Sequence, residues 1–371
     1  MKGVPQGSGH EGEGPPRVVV AMSGGVDSSV AAALLKRQGL EVVGVTLRLQ
    51  ECNEAGGSRS CCGVDGVARA RSVAGELGIA HYVLDSVREF EDQVLRPAWQ
   101  DYAAGRTPSP CLLCNERIKF GLLLAWAKGI GVGHVATGHY ARIEFEQAGA
   151  PVLLRGVDPN RDQSYFLSGL DREQLSSVLF PLGGMEKAAV RQMSRSLGLT
   201  TADTRDSQDA CLVGPGQSFA EMLRERFSGA GKAGAIVDEA GTVLGRHNGL
   251  HHFTVGQRRG LAVPSRSRYW IKALNPENGT VVVTDRETHL YAQEFDVVGT
   301  NWLFQVAVGE TLECEVKVRS THPAVTAVVR PGDSDTAGVV VREPVRAVTP
   351  GQAAVFYRGP RVLGRGWIRA L

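Results

Sequence analysis

The stretch that decides the fold is VVVAMSGGVDSSVAAALL, residues 18–35. It joins a continuous apolar run to a Gly-Gly turn, and the turn leads directly into a segment rich in alanine and leucine. A short apolar run bounded by a turn is typical of a buried strand, whereas alanine and leucine favour a helix. The stretch therefore predicts a strand, a loop and a helix, in that order.

Outward from this stretch, strand-like and helix-like segments alternate from Arg17 to about Gly198. RVVVAM, EVVGVTLRL, HYVLDS and HVATGHYARIEF predict strands, and the segments among them predict helices, namely SSVAAALLKRQG, VDGVARARSVAGELG, VREFEDQVLRPAWQDYAAG and CNERIKFGLLLAWAKGIG. Such alternation predicts an α/β fold with a parallel sheet and helices on both faces. In these folds ligands bind beyond the carboxyl ends of the strands.

After about residue 214 the pattern changes to short β-rich runs separated by Gly, Pro, Asn and Asp turns, such as KAGAIVDEAGTVLG, LECEVKVRS and QAAVFYRG. These runs are typical of antiparallel sheets and barrels. We predict a disordered tail at residues 1–16, the α/β domain at 17–213, a small central β domain at 214–270 and a C-terminal β-barrel domain at 271–371. The length of 371 residues suits two or three domains.

Composition narrows the class of protein. The formal net charge is only +2, so any nucleic-acid surface must be a local basic patch. No apolar run reaches the ~20 residues of a membrane helix, and the start MKGVPQGSGHEGEGPP lacks the apolar segment of a signal peptide. We expect a cytoplasmic protein with no membrane partner.

Seven cysteines over so long a chain favour reactive or metal-binding thiols over structural disulfides. Cys52 and Cys314 are expected to be ordinary thiols.

The Gly-Gly turn has the features of a phosphate-binding loop. Glycines let the backbone wrap around an oxyanion, and the start of the following helix offers N–H groups and the positive end of a dipole. Asp27 suits either a Mg²⁺ ion or a helix cap, so an ordinary capped turn is the alternative. The stretch has no GK[ST] of a Walker A loop and no GxSxG of a hydrolase elbow.

Two further segments contain cysteines with candidate chemistry. TPSPCLLCNERIKF, residues 107–120, has the spacing CxxC, and ADTRDSQDACLVGPG places Cys211 in a polar loop. The CxxC suits half of a zinc site, a redox pair, part of an iron–sulfur site or a nucleophile with a neighbour. Zinc lacks a second ligand pair, and a thioredoxin-like pair lacks its own scaffold. Cys211 is either a nucleophile with a stabilised thiolate or an ordinary loop thiol.

The string SGGVDSS resembles the pyrophosphate loop (PP-loop) of the N-type ATP pyrophosphatases, which adenylate a substrate oxygen and release pyrophosphate. Taken with AGRTPSPCLLCNERIKF, ATGHYARI, LLRGVDPNRDQSYFL, DSQDACLVG, TVGQRRGL and TPGQAAVFY, it resembles the tRNA-specific 2-thiouridylases, in order from about residue 17 to the C-terminus. The resemblance implies ATP-dependent 2-thiolation of the wobble uridine of tRNA, with AMP and pyrophosphate as products.

The resemblance also implies roles for individual residues. ATP would bind to Leu47, Gly138 and the loop residues Ala21, Met22, Ser23, Gly24, Gly25, Val26, Asp27 and Ser28. Cys211 would carry a persulfide, and Cys114 would be its partner, forming a disulfide with it as sulfur is released. The target base would meet Ser109, Pro110 and Cys111, and tRNA would meet His139, Arg161, Asp162, Gln163, Arg319, Ser320 and Gln352.

Cys111 departs from the family, in which Asp is common at this position. The departure creates a set of three cysteines, Cys111, Cys114 and Cys211, and related RNA thiolation enzymes hold a 4Fe–4S cluster on such a set. Two arrangements therefore stay open: a persulfide pair, or a 4Fe–4S cluster whose open iron binds hydrosulfide. The expected partners are a tRNA for Lys, Glu or Gln and a sulfur donor such as a cysteine desulfurase or a sulfur relay protein, with the chain a monomer.

Two other functions remain as alternatives. The first is a small-molecule ATP pyrophosphatase, which would not explain the β-rich C-terminal half or the paired cysteines. The second is a non-catalytic RNA-binding protein that keeps a vestigial nucleotide loop, which the presence of Asp27, Ser28, Cys114 and Cys211 argues against.

Overall fold

A computed structural model describes residues 15–51, 64–204, 217–227, 233–261, 263, 268–307, 309–333 and 335–369. The chain divides into two compact units. The first unit takes Met1–Gln93, Cys111–Gly214 and Pro360–Val362, and the second takes Val94–Pro110, Pro215–Gly359 and Leu363–Leu371. Cys211 and most of the predicted tail lie outside the described residues, as do Cys52, Cys61 and Cys62.

The first unit is built on a parallel sheet. Its strands are β1 Arg17–Ala21, β2 Glu41–Arg48, β3 Ala80–Asp85, β4 Val135–Ala136, β5 Ala141–Phe145, β6 Pro151–Arg155 and β7 Val178–Leu179. Five of them form the sheet in the order β3-β2-β1-β4-β7, with every described pairing parallel. Val18, Val19 and Val20 in the central strand have no exposed surface. The order of the strands reverses beside β1, which is where α/β sheets open a ligand crevice.

The helices largely follow the predicted pattern. They are α1 Val26–Arg37, α2 Val64–Leu77, α3 Val87–Phe90, α4 Arg96–Ala103, α5 Pro110–Leu113, α6 Leu123–Gly129, α7 Ser164–Leu167, α8 Arg172–Ser176, α9 Lys187–Ser196 and α10 Phe219–Phe227. Glu91–Leu95 and Cys114–Leu122 are π-helical, and Leu250–His252 and Glu287–Leu290 are 3₁₀ turns. In the described part of the chain, no helix is long and apolar enough to cross a membrane.

Close packing explains the alanine-rich sequence of α1. Ala31, Ala32 and Ala33 are almost completely buried in the core that α1 shares with β1, β2 and α9. Side chains this small let a helix approach its neighbours closely, and alanine also has the highest helix propensity.

One predicted strand is wrong. HVATGHYARIEF was predicted as a single strand, but it forms β4 and β5, which are separated by residues 137–140. At Gly138 the chain passes so close to the start of α1 that a Cβ atom would lie 2.7 Å from the carbonyl carbon of Asp27. The backbone of Tyr140 then exchanges hydrogen bonds with Gln163, and β5 pairs antiparallel with β6 outside the parallel sheet.

The second unit begins its β structure with a small sheet. Its strands are β8 Gly234–Val237, β9 Val243–His247, β10 Trp270–Asn275 and β11 Thr280–Thr284, in the order β10-β11-β8-β9. Ile236, Ile271, Val281 and Val283 are fully buried in its core, beside Phe253.

The remaining strands of the second unit close into a barrel. They are β12 Tyr291–Trp302, β13 Leu312–Lys317, β14 Val325–Pro331, β15 Thr336–Arg346, β16 Ala353–Arg358 and β17 Arg361–Ile368, in the order β12-β15-β14-β13-β16-β17, and β12 pairs with β17. Cys314 packs in the barrel core, where burial raises the pKa of its thiol to about 12. The predicted order of a parallel α/β sheet, a small β module and a barrel is confirmed.

Candidate active site

The Gly-Gly turn after β1 is held in a shape that requires glycine. Gly24 has a φ of +73°, and a Cβ atom on it would lie 2.4 Å from the carbonyl oxygen of Gly66 in α2. Arg69 of the same helix donates an Nε–H hydrogen bond to the carbonyl oxygen of Gly24, at 3.1 Å. Because a positive φ and so close a contact both exclude a side chain, the turn can present its backbone to a ligand.

Serine hydroxyl groups hold the turn in place through hydrogen bonds to its backbone. Ser28 Oγ donates to the carbonyl oxygen of Gly25 at 3.1 Å and accepts the N–H of Ser23 at 3.2 Å, while Ser29 Oγ donates to Gly25 at 2.9 Å. Gly25 is the N-cap of α1, and no side chain caps this helix. Asp27 therefore does not have the capping role that was the alternative prediction. An uncapped helix start behind a glycine turn is the geometry that binds phosphate.

Asp27 instead forms an ion pair at the mouth of this loop. Its Oδ1 accepts hydrogen bonds from Lys187 Nζ at 2.8 Å and from the hydroxyl of Tyr140 at 2.7 Å, and its Oδ2 lies 2.7 Å from Lys187 Nζ. The Lys187 side chain is only 10% exposed, and that of Asp27 is 32% exposed. The Lys187 backbone N–H donates to Asp158 Oδ2 at 3.1 Å, which anchors the start of α9. A carboxylate and an ammonium group thus stand together beside the uncapped helix.

Gly138 and Leu47, both predicted to meet ATP, lie at ends of sheet strands. Gly138 follows β4 and is in close contact with the backbone of Asp27 and Ser28. It therefore belongs to the same crevice as the loop. Leu47 is the penultimate residue of β2 and is 8% exposed.

His139 is a partly buried imidazole among aromatic side chains. Its ring packs against Phe120 and Phe180, and its Nδ1 lies 2.7 Å from the hydroxyl of Thr137. Burial, assisted by the positive charge of Lys119, holds the pKa of His139 well below its usual range.

The cysteine segment is helical. Cys111 is exposed in α5, and Cys114 is partly buried and begins the π-helical segment that continues into α6. Asn115 Nδ2 donates to the carbonyl oxygen of Phe166 at 3.0 Å, which ties this segment to α7. Within the described residues, no group of three or more His, Cys, Asp or Glu side chains could hold a metal ion. Cys211 is not among those residues, so both sulfur-transfer arrangements stay predictions.

The loop predicted to meet the target base is anchored in the second unit. Gln352 Nε2 donates to the carbonyl oxygens of Thr107 and Pro108, at 3.1 Å each. Thr107 also bonds to Pro350 through its N–H at 2.8 Å and to Thr254 through its hydroxyl at 3.3 Å. The TPGQ turn of the barrel therefore holds the chain just before Ser109 and Pro110.

The other residues predicted to meet tRNA lie in two places. Asp162 and Gln163 brace the turn after β6, because Asp162 accepts the N–H groups of Gly156 and Ser164 and Gln163 accepts that of Tyr140. Arg161 lies in the same turn. Arg319, next to Ser320 after β13, donates to the carbonyl oxygen of Arg346 at 2.9 Å. The role of each toward RNA stays a prediction.

Lys187 is the functional candidate that the sequence interpretation missed. It stands in FPLGGMEKAAV at the first position of α9, where a positive charge opposes the helix dipole. A lysine at a helix start is unfavourable unless a nearby anion compensates it, and this was the available signal. Tyr140 of the ATGHYARI motif, whose hydroxyl donates to Asp27, is a second such residue.

Comparisons with known proteins cover almost the whole chain. The family profile described as tRNA methyl transferase HUP domain matches residues 16–215, the tRNA methyl transferase PRC-barrel domain matches 222–285, and the aminomethyltransferase beta-barrel domain matches 292–368.

Individual relatives agree with these profiles. The chain is 48% identical to a tRNA-specific 2-thiouridylase of Paramagnetospirillum magneticum, covering 95% of each chain, and 44% identical to one of Geobacter metallireducens, covering 95% of this chain and 97% of the other. A solved 4-thiouridine synthetase–RNA complex with bound ATP is 14% identical over 57% of this chain and 53% of its own, with a TM-score of 0.34. By the extent and identity of its match to the curated relatives, the chain belongs to the family of the tRNA-specific 2-thiouridylases.

Proposed function

We propose that this chain is a tRNA sulfurtransferase that uses ATP to convert a tRNA uridine, the wobble uridine, into 2-thiouridine. The observation that carries the proposal is the glycine turn at Gly24 and Gly25 before the uncapped start of α1, in a chain that matches 2-thiouridylases over nearly its full length. The proposed products are 2-thiouridylated tRNA, AMP and pyrophosphate.

The phosphate loop would bind the triphosphate of ATP, which is a substrate here. The N–H groups at the start of α1 favour an anion, and residues 21–28 with Gly138 would form the wall of the crevice. The carboxylate of Asp27 would repel the triphosphate unless a positive charge compensates it, and the ammonium group of Lys187, at 2.7–2.8 Å, supplies that charge.

Mg²⁺ fits this site in one way. The ion usually binds to one or two carboxylates together with substrate phosphates, and Asp27 is the carboxylate at the loop. Asp27 would hold the ion, and Lys187 and Tyr140, which bond to its carboxylate, would orient it. Bound there, the ion would neutralise charge on the phosphates.

The first step would activate the uridine. The C2 oxygen of the base attacks the α-phosphorus of ATP, the bond between the α- and β-phosphates breaks, and pyrophosphate leaves. A uracil carbonyl oxygen is a poor leaving group, whereas AMP is a good one, so adenylation makes its replacement by sulfur feasible.

The second step would transfer sulfur from Cys211 to C2. The terminal sulfur of a Cys211 persulfide attacks C2 and AMP leaves with the former C2 oxygen. The Cys114 thiolate then attacks Sγ of Cys211, the bond between that Sγ and the transferred sulfur breaks, and 2-thiouridine is released. The Cys114–Cys211 disulfide that forms must be reduced by an external thiol before the next turnover. A cysteine desulfurase or a sulfur relay protein would reload the persulfide.

The cluster arrangement is the second candidate for the sulfur step, because Cys111 and Cys114 lie three positions apart in one helical segment. Cys111, Cys114 and Cys211 would hold the cluster, which would supply an iron site for hydrosulfide. Iron and acid-labile sulfide per chain, measured on protein purified without oxygen, separate the two candidates. About four irons per chain, as one 4Fe–4S cluster requires, would favour the cluster, and Cys111→Asp protein with full thiolation activity would count against it.

The experiment that tests the proposed function compares pyrophosphate release with tRNA, without tRNA and with small-molecule acceptors. We expect release to require tRNA and to be matched by 2-thiouridine in the digested RNA. Release driven by a metabolite would favour a small-molecule ATP pyrophosphatase. Full activity of Asp27→Ala protein would favour a non-catalytic role for the loop. The expected active species is one chain with one tRNA, which size-exclusion chromatography of the complex would test.

A further inference from the structure

The second unit contains a cavity of about 580 Å³ that none of the roles above uses. It lies among α4, the start of α10, the 3₁₀ turn Leu250–His252 and the turn that follows it. Its wall is aromatic and polar, and we call it the His252 pocket, defined by Tyr102, Phe219, His251, His252, Phe253 and Thr254. A volume of this size is within the usual range for small-molecule and nucleotide sites.

The pocket offers a surface on which a planar ring can stack. The rings of His251 and His252 lie 4.0 Å apart between centroids, and Trp99 packs on His251 at 5.5 Å. His251 is buried, whereas His252 is exposed. Both ring pairs are tilted, by 42° and 59°, and the exposed ring of His252 offers a face on which a nucleobase can stack.

The charges around the pocket suit an RNA strand. Burial first, and the nearby positive groups next, lower the pKa of His251 to about 4, so its imidazole is neutral at physiological pH. Its buried Nε2 has no hydrogen-bond partner in the described part of the chain. Arg246 on the wall is exposed, as are Arg258 and Arg259 in the adjoining turn. Glu221 is the acidic residue of the wall, and hydrogen bonds from Ser218 lower its pKa.

The position of the pocket connects it to the proposed chemistry. Thr254 of its wall contacts the hydroxyl of Thr107 at 3.3 Å, and Thr107 lies two positions before Ser109, the first residue of the proposed target-base loop. Successive nucleotides in an extended strand are separated by only several ångströms. A uridine at that loop would thus leave a neighbouring nucleotide within reach of the pocket.

From these observations we propose that the His252 pocket binds a nucleotide of the RNA that neighbours the target uridine, with its base stacked on His252. This inference rests on the proposed function, because it takes the occupant from the same RNA. Holding a neighbour outside the base stack would also keep the target uridine accessible, since a base inside a stacked loop cannot reach a crevice.

The test uses the full chain and an anticodon stem-loop RNA with 2-aminopurine placed on the 5′ or on the 3′ side of the target uridine. Stacking quenches the fluorescence of 2-aminopurine. We expect quenching at one of the two positions on binding to the wild-type protein. His252→Ala should abolish this quenching and raise the Kd of the RNA roughly five- to tenfold. His252→Phe should restore most of both, because it keeps an aromatic ring.

Tyr291→Ala is the matched control, since it removes an exposed ring from β12, outside the pocket, and should behave like the wild type. The proposal that the His252 pocket binds a nucleotide would be refuted by quenching that persists in His252→Ala protein. It would also be refuted if the wild type showed no quenching at either position. Pyrophosphate release with the same RNA is measured in parallel. If the RNA stimulates pyrophosphate release but the quenching is the same with and without the His252 ring, the proposed nucleotide site is wrong and the proposed function still stands. If the RNA neither binds nor stimulates pyrophosphate release, both the proposed function and the proposed nucleotide site are wrong.

Discussion

The ammonium group of Lys187 lies 2.8 Å from Oδ1 and 2.7 Å from Oδ2 of Asp27, a residue 160 positions earlier in the chain. The pair joins the start of α9 to the first turn of α1. It places one positive charge where a triphosphate is proposed to bind and offsets the one carboxylate that would repel it. The attraction between two opposite charges is stronger where water is partly excluded. The Lys187 side chain is nearly buried, which strengthens its attraction to Asp27.

Lys187→Ala should therefore impair the adenylation step. We expect pyrophosphate release to fall roughly 100-fold, as for the loss of one charged group that stabilises developing charge on phosphate oxygens. Lys187→Arg should retain more activity, because it keeps the charge. The Kd of the tRNA should stay within about twofold of the wild type, because the change is confined to the ATP crevice. Single-turnover release of pyrophosphate and an RNA-binding titration measure the two quantities separately.

Lys128→Ala is the control, since Lys128 forms an exposed ion pair with Glu173, at 2.9 Å, away from the loop. Exposed pairs contribute little, so its activity and stability should be close to those of the wild type. Loss of the Lys187 charge should also destabilise the fold by about 1–2 kcal/mol, less than for a fully buried pair because Asp27 is partly exposed. Wild-type pyrophosphate release by Lys187→Ala protein would show that the pair is merely structural.

Gly138→Ala should disturb the start of α1. A Cβ atom at residue 138 would lie 2.7 Å from the carbonyl carbon of Asp27 and 2.8 Å from the nitrogen of Ser28, and neither backbone atom can move cheaply. We expect a loss of about 1–3 kcal/mol of stability, as for other overpacked sites, and a KM for ATP raised roughly tenfold. Gly133→Ala is the matched control, because nothing lies within 4 Å of its new Cβ. Equal melting temperatures and KM values for the two variants would contradict this account.

The sequence predicted the parts of the site that are local in the chain. The apolar run Val18–Val20, the two glycines and the alanine-rich helix are contiguous, and each residue type favours its own conformation, so the strand, loop and helix were predicted correctly. The predicted strand through Gly138 failed because its break is set by contact with Asp27, more than a hundred positions away. Lys187 was missed for the same reason. An ion pair between distant segments leaves no periodic pattern in the sequence. The one local sign of it is the positive charge of Lys187 at the start of α9, where the helix dipole disfavours a cation.

Gln352 illustrates a second limit of sequence interpretation. The resemblance gave it a contact with tRNA, and the fold shows that its side chain is also committed to the carbonyl oxygens of Thr107 and Pro108. The hydrogen bonds join segments about 245 positions apart, at 3.1 Å each. A residue type alone does not distinguish these two uses, but substitutions can.

Gln352→Leu should lower the rate of thiolation without changing the Kd of the tRNA. Loss of two neutral hydrogen bonds, each worth about 0.5–1.5 kcal/mol, should loosen the proposed target-base loop and reduce kcat roughly five- to tenfold. Gln352→Glu should be worse, because it sets a carboxylate against two carbonyl oxygens. If Gln352 acts mainly on tRNA, both variants will instead raise the Kd, with kcat at saturating tRNA unchanged. Thiolation rates at saturating and limiting tRNA decide between the two.

Glu239 gives the second unit a pH-dependent element of stability. It lies in the turn between β8 and β9, and its carboxylate accepts hydrogen bonds from Lys272 at 2.6 Å and from the hydroxyl of Thr284 at 2.8 Å, with His289 Nδ1 at 2.9 Å. The hydrogen bond from Lys272 is the largest of the causes that lower the pKa of Glu239 from 4.5 to about 2. A carboxyl group with a lowered pKa stabilises the fold above its unfolded pKa, and this contribution is lost as the pH falls toward the folded value.

Glu239→Gln should therefore lower the melting temperature of the second unit by a few degrees at pH 7, where the wild-type carboxylate is ionised in both states. The difference between variant and wild type should shrink as the pH falls from about 4.5 toward 2, because the wild type then loses the same charge. Glu313→Gln, on an exposed position of β13, is the control and should follow the wild type throughout. Thermal unfolding at pH 7, at pH about 5 and at pH about 3 tests the trend. A difference that stays constant over this range, or grows as the pH falls, would refute the assignment of the stabilisation to an ionised Glu239.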